Sequence, residues 1–313
     1  MDIDLVYLWV NGNDPKWIAK RDACIGRPTD QQDNCVGRYA DSGELKYSLR
    51  SVERYAPWIH RIFIVTDNQV PEWLDTNHPK IQIVDHKDIL PAESLPCFNS
   101  TLIEHFIDRI PGLSEHFIFS NDDMYLNKCI KPDTFFARDG LPILYMNRKP
   151  LRKFELWFRE KVLRKPLSTY LKQIRNASQL VEERYGTYYG CKLHHNMDAY
   201  LKSTITHTNQ IFAEEFSKMI THHERSAEDV QRIIYSYVAL AEKKGHLQYV
   251  SQDHSFRLHI DNRKHYKKFE RKHPVFFCMN DSEYATDADR EFAAAYREKL
   301  FPYQSDFEIV ETK

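Results

Sequence analysis

Four polar clusters in this chain follow apolar runs or precede expected helices, and their residue types suggest specific chemistry. Asn121-Asp122-Asp123 comes directly after Phe117-Ile118-Phe119-Ser120. Adjacent carboxylates on an extended chain, with a neutral amide oxygen beside them, make a hard-oxygen site for Mg²⁺ or Mn²⁺, ions that neutralise phosphate charge. The same triplet also reads as a polar turn in which an Asp caps the next element. Asn280-Asp281 repeats the pattern after Val275-Phe276-Phe277, so Asn280 would add a ligand if folded beside the first cluster. Between them, His194-His195 offers a general base near neutrality, without the spacing or cysteine partner of a zinc site. Arg225, in His222-His223-Glu224-Arg225-Ser226, precedes an expected helix start at 228–229, where anions bind readily.

These clusters need a scaffold that brings strand ends to one edge. The run 4–10, DLVYLWV, stops at Asn11-Gly12-Asn13-Asp14-Pro15 and reads as a buried strand entering a polar loop. Leu45, Leu49 and Val52, followed by Pro57, predict a helix over 44–55 that carries Glu44 and Arg50 on different faces. Strands are expected at 59–66, 81–84 and 117–119, and a helix at 101–110. That order predicts an α/β fold, a mostly parallel sheet with covering helices, whose ligands sit beyond the strands' carboxyl ends. Segments 1–126 and 270–313 read as the α/β core of a single domain, and 127–260 as a mainly helical insertion.

With 44 Lys and Arg against 45 Asp and Glu, no global field favours nucleic acid. No stretch reaches the roughly 18 apolar residues that a membrane span needs, so the expected setting is the cytoplasm or the inner face of the plasma membrane. Six cysteines without a CxxC pair argue for reduced thiols, and the sequons at Asn99 and Asn176 then carry no meaning. From 148 to 175 the chain turns basic, with Glu155 and Glu160 its only acids and Phe154, Trp157 and Phe158 interleaved. That stretch reads either as a solvated helix or as a surface for an anionic glycan or a membrane, the latter making the protein peripherally membrane-associated.

Taken together, these segments resemble the Stealth family: bacterial capsular-polysaccharide phosphotransferases and the catalytic part of the eukaryotic N-acetylglucosamine-1-phosphotransferase. The likeness falls in four blocks in the family's order, over about half the chain. They are IDLVYLWVNGND at 3–14; the stretch 38–126, with ELKYSLRSVERYAPWIHRIFIVTDNQVPEWL and LPCFNSTLIEHFIDRIPGLSEHFIFSNDDMYL; 195–229, with HHERSAED; and 278–308, with CMND and FPYQSDFE. The family pattern has a Pro two residues after its histidine, where this chain has Met197. Taking His195 rather than His194 as that histidine puts Lys202 where the family often carries a basic residue.

The resemblance implies a Rossmann-like or GT-A-like nucleotide-sugar core and a UDP-sugar donor, typically UDP-N-acetylhexosamine. A hydroxyl of a polysaccharide or lipid-linked glycan acceptor would attack the donor's β-phosphorus, releasing UMP and leaving a phosphodiester. It further implies that Asp122, Asp123 and Asn280 hold Mg²⁺ or Mn²⁺, while Arg225, Lys202 and Arg50 stabilise charge. His195 or one of the two aspartates would take the acceptor proton. Asn11, Gly12, Glu44, Arg50 and Asp67 would line the donor site. The rival readings are a metal-dependent glycosyltransferase that releases UDP and a non-catalytic glycan-binding assembly protein.

Overall fold

The apolar run that opens the chain becomes the middle strand of a sheet, as burial on both faces requires. In the computed structural model, which describes residues 1–26, 41–282 and 284–310, β1 (Ile3–Leu8) lies parallel to β2 (Ile62–Thr66) on one side and to β4 (His116–Asn121) on the other. The third strand, β3 (Ile81–Asp85), extends the parallel set beyond β2. The second half of the chain then closes the other edge: β8 (Asp198–Leu201) runs antiparallel to β4, giving the order β3-β2-β1-β4-β8.

The remaining strands form two smaller sheets. Leaving the central sheet after β4, the chain forms β5 (Met124–Leu126), which pairs antiparallel with β11 (Phe276–Asn280); β10 (Ser255–His259) lies parallel on the far side of β11. β6 (Ile143–Asn147) sits between β7 (Lys192–Leu193) and β9 (His246–Tyr249). The segment 127–260, expected to be mainly helical, thus supplies five strands as well, and one of them completes the central sheet.

Among the described residues, α1 (Pro15–Ile25) and α2 (Glu44–Tyr55) lie between β1 and β2. The predicted face of α2 is the buried one, with Leu45, Leu49 and Val52 at 2% exposure or less. Its buried serines fasten β5: the Ser48 hydroxyl donates to the Met124 carbonyl (2.5 Å), and Ser51 Oγ accepts from Leu126 N–H (3.1 Å). Between β3 and β4 come α3 (His86–Ile89) and α4 (Ser100–Glu104). The helix expected over 101–110 ends early and continues as a 3-10 turn at Ile107–Arg109; Ile110, placed before Pro111, is extended (ψ 121°), as the proline ring demands.

The later helices are α5 (Arg152–Trp157), α6 (Thr169–Tyr185), α7 (Lys202–Ile211), α8 (Ala213–Ser217), α9 (Ile233–Ala241), α10 (Arg263–Lys272) and α11 (Asp287–Leu300). No helix among the described residues is long and apolar enough to cross a membrane. Cys24, Cys97, Cys129, Cys191 and Cys278 are free thiols, and Cys35, like the Arg38-Tyr39-Ala40 start of the second sequence block, lies outside the described residues.

Candidate active site

Parallel pairing puts the carboxyl ends of β1, β2 and β4 at one edge, with Leu8 in register with both Val65 and Asn121. The loops carrying Asn11, Asp67 and Asp122-Asp123 therefore open on the same side, where open α/β sheets bind ligands. Because β8 is antiparallel, its amino end reaches this edge too, and the His194-His195 loop with it.

Asp122 and Asp123 occupy the turn at which the chain passes from the central sheet to the β5–β11 sheet. Antiparallel pairing sets Cys278 opposite Met124, and Met279 N–H donates to the Asp123 carbonyl (3.0 Å). The Cys278 thiol donates to Asp123 Oδ2 (2.9 Å). His195 completes the group: one donor atom each from Asp123, His195 and Cys278 lie within 4.8 Å of one another.

His195 has φ 61°, a left-handed backbone rare for a non-glycine residue and enriched at functional sites. Its neighbours hold it there. Asn196 Nδ2 donates to Ser255 Oγ (2.7 Å), and His194 Nε2 donates to the Met197 carbonyl (3.0 Å). His194 packs between Tyr145 and Phe276, with ring centroids at 5.5 and 5.7 Å, and its Nε2 lies 3.4 Å from Asp198 Oδ1, so of the two histidines it is His195 that is grouped with Asp123.

The recess is acidic at its floor. Burial, then the charges of Asp123, Glu44 and Asp41, push the Asp122 carboxyl well above its usual range. Asp123 is raised by burial, against the Cys278 hydrogen bond and the charge of Arg257. Both aspartates keep partial solvent exposure, so neighbours crowd them while water still reaches them. Glu44 is also raised by burial, opposed by Arg297, which pairs with its Oε1 at 3.1 Å. Among the described residues neither Asp122 nor Asp123 forms an ion pair. Closely set, unpaired, half-buried carboxylates fit a divalent cation, which would relieve both burial and repulsion.

The other wall is basic. Burial, followed by the charges of Arg257 and Arg232, holds the His195 imidazole down to about 3, so the ring is neutral at physiological pH. Buried Arg232 donates to Asp198 Oδ2 (2.8 Å) and to the Tyr200 hydroxyl (2.9 Å), and its guanidinium lies 4.3 Å from the Phe119 ring centroid. Exposed Arg257 donates through Nε to Asn280 Oδ1 (2.7 Å). That bond engages the Asn280 oxygen, expected as a metal ligand, with a guanidinium. Arg257, Arg232, Arg297 and Cys278 escaped the sequence reading of the site. Nothing local marks them, and Arg257 is one polar residue on the alternating strand SFRLH.

The other expected residues divide. Asn11 and Gly12 lie in the β1 loop, which Gln69 stitches to the β2 loop by accepting from Asn11 N–H (2.9 Å) and donating to the Asn11 carbonyl (3.1 Å). Asp67, at the same edge, pairs with Lys20 of α1 (2.5 Å). The Arg225 guanidinium donates to Ser100 Oγ at the start of α4. Its loop is held by Asn99, whose Nδ2 donates to the His222 and Glu224 carbonyls and to Asp229 Oδ2 (3.2, 3.1 and 2.9 Å).

Two residues lie elsewhere. Arg50 is buried in a two-pronged pair with Glu308 (2.7 and 2.8 Å) and donates to the Phe301 carbonyl (2.7 Å), so it ties α2 to the chain's last segment instead of facing the recess. Lys202 N–H donates to the Glu115 carbonyl (2.8 Å), beside the first residue of β4. At about 3.3 Å per residue, β4 separates it from Asp122 by roughly 20 Å.

Comparison with known proteins gives the chain's relatives. The family model described as Stealth protein CR1, conserved region 1, matches residues 1–27, and that for CR2, conserved region 2, matches 38–144. A capsular polysaccharide phosphotransferase of Haemophilus influenzae, fcs1, is 33% identical over 295 residues, covering 90% of this chain and 78% of its own. An exopolysaccharide phosphotransferase of Lactiplantibacillus plantarum, cps2G, is 52% identical over 141 residues, 45% of this chain and 41% of its own. The match thus spans less than half the length of cps2G. Among solved structures, the glycosyltransferase GlyE of Streptococcus pneumoniae TIGR4 overlays with a TM-score of 0.42 at 11% identity, covering 96% of this chain and 63% of that one. An overlap that loose carries no functional argument.

Proposed function

The chain belongs to the Stealth family, and from that premise we propose that it transfers a hexose 1-phosphate from a UDP-sugar to a hydroxyl of a growing cell-surface polysaccharide. The sugar is read as an N-acetylhexosamine. Phosphoryl transfer asks a protein mainly for positioning and charge neutralisation. The observation that carries the reading is the meeting of Asp122, Asp123 and neutral His195 in one recess at the strands' carboxyl edge.

In this reading the two aspartates hold Mg²⁺ or Mn²⁺, which when bound neutralises charge on the donor's diphosphate. Cys278 keeps its proton, because burial and Asp123 push the thiol well up, and so it orients Asp123. The hard oxygens left as donors favour these ions over zinc. The acceptor oxygen bonds to the β-phosphorus and the bond from that phosphorus to the bridging oxygen breaks, so UMP leaves with the electron pair. His195 takes the hydroxyl proton. Its low basicity comes first from burial; an incoming diphosphate would offset the part due to Arg257 and Arg232 and so raise the ring's affinity for a proton. Arg257 and Arg225 would donate to phosphoryl oxygens. Because α2, β4, the β8 loop, β10 and β11 all contribute, residues 1–313 act as one catalytic unit.

The test is to incubate the purified protein with Mg²⁺ or Mn²⁺, an acceptor glycan and a panel of UDP-sugars, then resolve UMP from UDP. Acceptor-dependent UMP is expected. UDP would overturn the proposal in favour of glycosyl transfer, and glycan binding without consumption of any nucleotide sugar would mark an assembly protein.

A further inference from the structure

The helix α5 and the turn after it show solvent a surface that the reaction does not use. Leu151, Phe154, Trp157, Phe158, Val162 and Leu163 are 37% to 64% exposed, though together they form a single apolar face. Their spacing is helical, and the aromatic rings gather on one another, Phe154 lying 5.8 Å from both Trp157 and Phe158. One π-helical turn at Phe158–Val162, closed by Leu163 N–H on the Phe158 carbonyl (3.0 Å), brings the apolar face round to Val162 and Leu163. Leu156, 5% exposed, points the other way and anchors the helix to the body. Exposed Tyr249 and Leu247 of β9 extend the face, with the Arg148 guanidinium 5.9 Å from the Tyr249 ring centroid.

Charge identifies what this face meets. Between 148 and 165 there are eight Lys or Arg against Glu155 and Glu160, in a chain whose formal net charge is −1. Ion pairs to Glu182 and Glu160 engage Lys153 and Arg175, while Arg159, Lys161, Arg164 and Lys165 remain exposed. Exposed Trp, Phe and Leu rimmed by Lys and Arg suit the boundary between anionic headgroups and acyl chains, where rings enter the apolar layer and cations stay among phosphates. We propose that this face docks the protein on an anionic lipid surface.

Lys192 is held down to about 8 by burial and by the charges of Arg152, Arg257 and Lys149, so residues of the patch and of the site share one field. Docking would hold the recess near the bilayer surface, where a lipid-carried acceptor is presented.

The test floats the full chain with vesicles of phosphatidylcholine alone or with phosphatidylglycerol added, at about 0.1 M salt. The protein is expected to float with the anionic vesicles only and to be released by high salt. F154S/W157S and R159E/K161E/K165E should each weaken binding by at least about tenfold, with melting temperature and turnover of a soluble acceptor unchanged. No flotation with anionic vesicles overturns the proposal. So does a concentration-dependent dimer that the same substitutions abolish, since the face would then cover a second copy. Equal binding to a soluble anionic phosphodiester polymer, unaffected by F154S/W157S, overturns it as well by marking a glycan track.

Discussion

Asp123, like Asp122, is a carboxylate whose charge burial makes costly and which forms no ion pair among the described residues, although the Cys278 thiol donates to it. Asp123→Asn keeps the volume and an acceptor for Cys278 while removing one of two mutually repelling carboxylates. Turnover should fall by at least about a hundredfold, the scale of losing a group that organises transition-state charge. The metal-free protein should melt at the same temperature or higher. A melting temperature that falls while turnover persists would make Asp123 a structural residue. Lys202→Ala is the matched control: from the far end of β4 it should leave kcat/KM within about twofold, which steady-state kinetics would check.

At the scale of elements, the site depends on a clamp that contains no site residue. Arg50 of α2 is joined to Glu308 by two short bonds inside the protein, and Lys46 adds a weaker one at 3.5 Å. The tie locks the chain's last segment over the helix whose first residue, Glu44, reaches the recess. Glu308→Gln would leave a buried guanidinium short of a counter-charge, at a cost of roughly 3–5 kcal/mol. Thermal melts should show that loss, with KM for the donor unchanged well below the transition. A rise in donor KM without loss of stability would return Arg50 to the donor site.

For the whole molecule, two sets of buried groups pull stability in opposite directions with pH. His86 and His105, held down to about 4 by burial, stay neutral while the unfolded chain takes up protons below about pH 6.5. Their contribution is full above that pH and is lost on acidification. Glu104, pushed up to about 6 by burial, acts in reverse: its contribution is lost as pH rises through 6, and raised Asp122 and Asp123 behave alike. A divalent cation on the two aspartates cancels their share of that alkaline loss and must displace any proton they hold. Added Mg²⁺ or Mn²⁺ should therefore raise the melting temperature by an amount that grows from pH 5 to pH 7, the stabilisation itself approaching roughly 3 kcal/mol at a hundredfold excess over Kd. Melting curves across that range check it, and an increment independent of pH would remove the cation from these carboxylates.

What the sequence determined by itself was whatever local pattern encodes. The runs at 4–10 and 117–119, the 45-49-52 stripe and the polar clusters ending apolar runs specified the strands, α2 and the Asp122-Asp123 turn, because burial periodicity and turn chemistry act over a few residues. Only tertiary structure decided which of those clusters meet. Parallel pairing gathers the β1, β2 and β4 loops at one edge, while the antiparallel course of β8 carries His195 to that edge and Lys202 away from it. Pairing of β11 with β5 brings Cys278 onto Asp123, and the neighbouring β10 sets Arg257 on Asn280. Strand direction and register are set by contacts between segments well separated along the chain, and no local spacing records them.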